Sequence, residues 1–383
     1  MKALMLVCEE MADEAMEDLG GKTPLEVAKT PNIDQLAQDS IIGTALFTPH
    51  RLAARSDVAC LSLLGFDPLE FYTGIAPLEA LAMGISQSPN EITFRCDLVT
   101  VVEDKIIDTR ASRITPHESA LLIKALNEKL ANDKIQFFPG EGYKNILKIN
   151  DPEIFENLDD LECIAPQSLI ERSFTKSMPK GKGAAILVNL MNQSKAILEE
   201  HDINRVRIDL KENPANMIWP WGQGKKPKLP SFEERYTLNG GVVSEVDYIK
   251  GIGKALGFVL EKDLDHCIKT KDFTFFFQPA VRTSNPLPES LKVKIRRLEE
   301  FDSQIVGPAL KTAREVGGCR VVITTDVASS LNKNTLLHGH VPFLVSGGKN
   351  KPSESLLFNE KSSVQSKLSF ESGHEFMSWF LKS

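Results

Sequence analysis

Two textures alternate along this chain. The first is the short unbroken apolar run. "KALMLVCEE" closes on Glu9 and Glu10, and a run of that length ending in acids predicts a buried parallel strand with polar residues at its carboxyl end. "DFTFFFQPAV" and "CRVVITTDVASS" repeat the pattern, the latter ending on Asp326, and "VPFLVSGG" is expected to be the last strand. The second texture is helical spacing. In "KTPNIDQLAQDS", Ile33, Leu36 and Ala37 share a face, Thr30 is the expected cap and Pro31 the first helical residue. In "SDVACLSLLGFDP", Ser56 starts a helix and Gly65 ends it. "GGVVSEVDYIKGIGKALGF" begins as a strand and continues as a helix. "SLKVKIRRLEEFDSQIVGPALKTAREVGG" predicts a long helix broken near Gly307–Pro308, and "GHEFMSWFLKS" a closing one.

Between these stretches the pattern changes. "ITFRCDLVTVVEDKIIDTRASRI" reads as two strands joined by a turn at Glu103 and Asp104, and "HESALLIKALNEKLAN" and "AAILVNLMNQSKAILEEH" as amphipathic helices. "WPWGQGKK" reads as a packed tryptophan loop. The expected organisation is an α/β sheet domain split into residues 1–87 and 213–383, around an inserted α+β domain at 88–212.

Charge narrows the partners. A net charge of −7 disfavours nucleic acid, whose phosphates call for a basic surface. No apolar run is long enough to span a membrane. The acids at Glu9 and Glu10 interrupt the only apolar stretch that could open a signal peptide. Six scattered cysteines without a CxxC pair fit free thiols in a reducing compartment, so a cytoplasmic location is expected.

In an open parallel sheet, chemistry gathers at the carboxyl ends of the strands. That places Glu9, the Ser56 helix start, the 278–285 loop, Asp326, and the loop carrying His338 and His340 under scrutiny. A serine at a helix start is either a nucleophile or a cap, and local sequence leaves both readings open. Arg95, Arg110 and Arg113 are either a solvated hairpin face or anion-binding groups.

"LGGKTPLEVAKTPNIDQLA", "RSDVACLSLLGFDP", "FYTGIAPLEALAMGI", "FRCDLVTVVEDKIIDTRASRI", "NPANMIWPWGQGKKPKLPSFEERY" and "VDYIKGIGKALG" run in order along nearly the whole chain. Together they resemble the archaeal-type cofactor-independent phosphoglycerate mutases of the alkaline-phosphatase superfamily. The resemblance implies an alkaline-phosphatase-like sheet domain with helices on both faces. It also implies two divalent metal ions, manganese or zinc, and a serine nucleophile matched by Ser56 beside Asp57. On the substrate side it implies Asp57, Arg95, Asp97, Arg110 and Arg113.

The same comparison exposes departures. Where the family's first strand ends Asp-Gly, this chain has Glu9-Glu10, and Arg55 replaces the glycine before the serine. Positions where the family has metal-binding residues hold Val281, Asn285, Val327 and Leu336; Asp326 is kept. Aliphatic side chains cannot bind these cations. Ile75 stands in place of an arginine, and Gln167 and Ser168 in place of a His-Asp pair.

The reading that follows is a catalytically inactive relative that needs no metal. Its partner would be a small phosphorylated ligand or a protein. In this reading Ser56 only caps its helix, and Arg55 or Arg282 supplies positive charge beside Glu9, Asp57 and Asp326. The alternative is an active metal-dependent mutase or phosphatase acting through Ser56. Its manganese or zinc would be held by Glu9 and Asp326 with His338 and His340 as replacement ligands.

Overall fold

The computed structural model describes residues 2–281, 290–348 and 357–382. They form two compact units. The first is built from Met1–Tyr72, Lys228–Thr283 and Leu287–Ser383, and the second essentially from Thr73–Pro227.

The first unit holds an eight-stranded sheet. Its order is Ser369–Phe370, Ser40–Ala45, Val341–Ser346, Cys319–Thr324, Lys2–Cys8, Phe273–Gln278, Gly240–Val243 and Val259–Glu261. The five strands from Cys319–Thr324 to Val259–Glu261 run parallel, and Val341–Ser346 is antiparallel to its neighbours on both sides. Lys2–Cys8 is central and buried at both alternating sets of positions. That requires cover on both faces and explains its unbroken apolar run. One face packs Leu4, Leu6 and Cys8 against Ile33, Leu298, Phe301 and Leu310. The strand Val341–Ser346 is not the last; the short Ser369–Phe370 follows it and extends the sheet edge.

The long helix does not break at Gly307–Pro308. It runs as Leu291–Glu300, passes through a π-helical segment at Phe301–Val306, and continues as Gly307–Glu315. Pro308 lies in the first turn after that segment. The π segment also takes over a task assigned above to Thr30, whose side chain makes no capping hydrogen bond. Asp302 accepts instead from the N–H groups of Ile33 (2.8 Å) and Asn32 (3.2 Å), and so caps the Pro31–Ala37 helix from 270 residues away.

The second unit begins and ends outside the 88–212 span read from texture. The Ile75–Ala82 helix belongs to it: Glu79 pairs with Arg95, and Gln87 Nε2 donates to the Pro77 carbonyl. Its core surrounds Ile92–Val102, which pairs with Lys144–Ile149, Met217–Lys225 and Lys105–Asp108. "WPWGQGKK" is therefore strand rather than loop. Met217–Lys225 pairs only with Ile92–Val102, so Pro220 sits on an edge, where it needs no ladder partner. No helix of the described residues is long and apolar enough to cross a membrane.

Candidate functional site

Three adjacent parallel strands end at one place in the first unit. Lys2–Cys8 leads into Glu9, Phe273–Gln278 into Ala280, and Cys319–Thr324 into Asp326. The Ser56–Leu63 helix starts against them. Ser56 is its first helical residue, Arg55 occupies the cap position, and no side chain caps it. The Ser56 hydroxyl is thus not a helix cap. It donates to Glu9 Oε1 at 3.0 Å.

Glu9 is met by three donors. Besides Ser56, the Tyr248 hydroxyl donates to Oε1 at 3.2 Å and the Ala280 N–H donates to Oε2 at 2.6 Å. The turn after the strand keeps the left-handed conformation that a glycine would adopt freely: Glu10 has φ 53°. Its N–H donates to Asp326 Oδ1 at 2.9 Å, and the Thr325 hydroxyl reaches the same oxygen at 3.2 Å. Asp326 Oδ2 is buried with no hydrogen-bond partner among the described residues. Burial, with the Glu9 charge beside it, pushes the Asp326 carboxyl up to about 7, although the Ser56 hydroxyl works the other way. Burial, then Glu9, also raises Tyr248, so its phenol stays a donor.

Asp57, next along the helix, is held by Arg55 through two 2.9 Å hydrogen bonds and by the Tyr72 hydroxyl at 2.6 Å. Burial works to lower the Arg55 pKa, but Asp57 outweighs it and the guanidinium is raised above its usual range. Arg282 lies outside the described residues, as does Asn285. Two further cations, on the long helix, were not singled out in the sequence. Lys294, fully buried, donates to Asp13 Oδ2 (2.7 Å) and Ser329 Oγ (2.8 Å). Arg297 donates to the Glu9 carbonyl (2.7 Å) and to Cys8 Sγ (3.0 Å), fixing the end of the central strand. Their spacing with Leu298 and Phe301 on one helix face was the available signal.

The remaining residues lie apart from this group. His338 faces His50 at 5.8 Å, and His340 Nε2 pairs with Glu371 at 3.1 Å. Val327 is buried, and Val281 is exposed. Among the described residues, no three His, Cys, Asp or Glu side chains converge so as to hold a metal ion. One observation suits a cation, the unpartnered Asp326 Oδ2. The donor set does not suit two, because Glu9 is already engaged by three protein donors. What Ser56 and Glu9 can do alone is limited: a carboxylate can accept the serine proton, but no described cation faces the oxygen to stabilise an alkoxide.

In the second unit, Arg95 is buried, stacked 4.5 Å over Trp221 and paired with Glu79 (3.2 Å) and Asp97 (3.4 Å). Trp221 Nε1 donates to Asp97 Oδ2 at 2.9 Å. Burial raises the Asp97 carboxyl against the pull of Arg95. Arg110 stands 5.9 Å from the Tyr143 ring, and Arg113 is exposed. Between them runs a feature the sequence did not announce. Ala111, Ser112 and Arg113 have φ 43°, 50° and 57°, three successive left-handed residues without a glycine. Each costs about 1–2 kcal/mol. Asp108 offsets this by accepting from the N–H groups of Arg110 (2.8 Å) and Ser112 (2.7 Å), and Asn213 Nδ2 braces it at 3.0 Å.

Residues 37–204 match the family model described as 2,3-bisphosphoglycerate-independent phosphoglycerate mutase. A curated protein of that name from Methanosarcina barkeri is 35% identical over 96% of each chain. One from Geobacter sulfurreducens, named as a probable member, is 32% identical over 100% of each. Among solved structures, a Pyrococcus horikoshii protein aligns with a TM-score of 0.79 at 24% identity, covering 99% of this chain and 96% of its own. A cofactor-independent phosphoglycerate mutase from Thermoplasma acidophilum aligns with a TM-score of 0.63 at 22% identity over 100% and 99%.

Proposed function

We propose, from the premise that this chain belongs to the 2,3-bisphosphoglycerate-independent phosphoglycerate mutase family, that it is a binding or regulatory member without the two-metal centre. The observation that carries this reading is the state of Glu9. Its carboxylate, where the family resemblance puts a metal ligand, is engaged by Ser56, Tyr248 and the Ala280 N–H. Val281, Val327 and Leu336 at other ligand positions agree with it. In this reading Ser56 is an alcohol held by a carboxylate, with no cation among the described residues to stabilise its alkoxide. Arg55 serves as a fixed cation for Asp57 in place of a metal.

The ligand on this reading is a small phosphorylated molecule. Arg110 and Arg113 are its candidate contacts, because they flank a strained turn that is held by Asp108 and Asn213, and such strain gathers at binding sites. Arg95 and Asp97 act behind them as a packed pair on Trp221.

A second reading, an active mutase or phosphomonoesterase using Ser56 with a rearranged metal site, is favoured by the unpartnered Asp326 Oδ2. The names of the relatives favour it as well. A coupled mutase assay with added manganese or cobalt, run beside Ser56→Ala, separates the two. The expected result is no turnover above the Ser56→Ala background. Turnover that vanishes in Ser56→Ala, with stoichiometric manganese or zinc in the purified protein, would establish the second reading.

A further inference from the structure

The carboxyl ends of Gly240–Val243, Val259–Glu261 and Phe273–Gln278 border a cavity of about 310 Å³ in the first unit. Neither Ser56 nor Asp326 lines it. We propose that it binds a small protonated organic amine, with the ammonium among carboxylates and the carbon chain against Phe276 and Ile305. This goes beyond the function proposed above and does not depend on it.

Ligands of open parallel sheets sit at the carboxyl ends of strands, and three adjacent parallel strands end here. The far wall comes from Glu300 and the π-helical segment after it, a kind of irregularity that recurs at functional sites.

Glu245, Glu261 and Glu300 line the cavity, and Lys262 is the one cation among its described lining residues. Glu261 is also paired with Lys271 at 3.8 Å and Glu300 with Arg296 at 2.8 Å. Neither pair uses all the acceptor capacity of its carboxylate. A phosphate or carboxylate ligand would meet like charge here.

Gln278 lines the cavity, and its Oε1, which solvent does not reach, has no hydrogen-bond partner among the described residues. A buried acceptor left alone calls for a donor. An ammonium brings three donors, while an anion brings none. Phe276 offers an aromatic face, which attracts a cation and also tolerates its methylenes.

The test uses the full chain in about 0.15 M salt, where screening suppresses loose attraction of cations to an acidic surface. Putrescine and spermidine are the probes, with 1,4-butanediol as the uncharged analogue and inorganic phosphate as the anion. Thermal unfolding and calorimetric titration should show saturable stabilisation and binding by an amine, and neither by the diol nor by phosphate. Affinity should fall at least tenfold in Glu300→Gln and in Gln278→Met. If Gln278→Met fails to fold, Glu300→Gln, whose side chain reaches the surface, decides alone. No saturable amine effect, an equal effect of butanediol, or an amine affinity unchanged in Glu300→Gln would overturn the proposal. The mutase assay bears on none of these outcomes.

Discussion

Arg55 and Asp57 meet along two parallel hydrogen bonds, Nε to Oδ1 and Nη2 to Oδ2, both at 2.9 Å. The carboxylate is almost wholly buried and the guanidinium about one-third exposed, at 2% and 31%. The pair therefore lies between a surface salt bridge and a buried one. Breaking it from the arginine side leaves a buried acid that keeps the Tyr72 hydroxyl as its donor.

Arg55→Met, which keeps the aliphatic bulk, should destabilise the protein by about 1–3 kcal/mol, less than the loss of a fully buried partner because solvent screens part of the charge. Thermal unfolding with and without manganese checks this. Stabilisation of the variant by manganese beyond its effect on the wild type would mean that a cation can still enter beside Asp57.

Ser56→Ala and Tyr248→Phe each remove one donor from Glu9 Oε1. Each should cost about 1–2 kcal/mol, in the range of hydrogen bonds to charged groups. Because both act on one oxygen, the double variant should depart from additivity by at least ~0.5 kcal/mol. A denaturant-unfolding cycle measures this, and strict additivity would mean that the two hydroxyls do not share Glu9.

Asp326 makes a signed prediction about pH. Its folded-state pKa, about 7, lies above the ordinary 3.8, so the folded protein binds the proton more tightly than the unfolded chain. The contribution is fully present below the unfolded value and is lost as pH rises toward 7. Asp326→Asn can still accept from the Glu10 N–H and carries no titrating proton. Its stability relative to wild type should therefore rise from about pH 4 to about pH 7 and then level off. A flat difference between the two curves would show that Asp326 does not hold its proton.

Lys294 and Asp13 are both fully buried, 2.7 Å apart. Lys294→Met should cost about 3–5 kcal/mol by stranding Asp13, and Asp13→Asn added to it should recover much of that loss. Calorimetric unfolding of the single and double variants tests the pair.

Legibility in the sequence followed the range of the forces involved. The Lys2–Cys8, Phe273–Gln278 and Cys319–Thr324 strands could be read because burial on both faces writes itself as continuous apolar residues. Ser56 could be placed at a helix start, but its partner could not, since nothing near residue 56 says that Glu9 receives its proton. Tyr248 and the Ala280 N–H were missed for the same reason. Thr30 was a sound local choice for a cap, overridden by Asp302, which is distant in sequence and adjacent in space. In Met217–Lys225, Pro220, Gly222 and Gly224 masked a strand that its place on a sheet edge permits.

The π-helical segment at Phe301–Val306 has a consequence for how this chain can change length. Such a segment accommodates one residue more than an α-helix of equal rise, and each residue turns the chain by roughly 100°. The two flanking helices are thereby set in different phase. Lys294, Arg297 and Leu298 face inward before it, and Ala309, Leu310 and Ala313 after it. Deleting one residue within the segment would straighten the helix into ordinary α-form while swinging either Arg297 away from the end of the central strand or Ala309 out of the core. The irregular turn thus acts as a phase lock, and indels should be tolerated less here than in any exposed loop of the same unit.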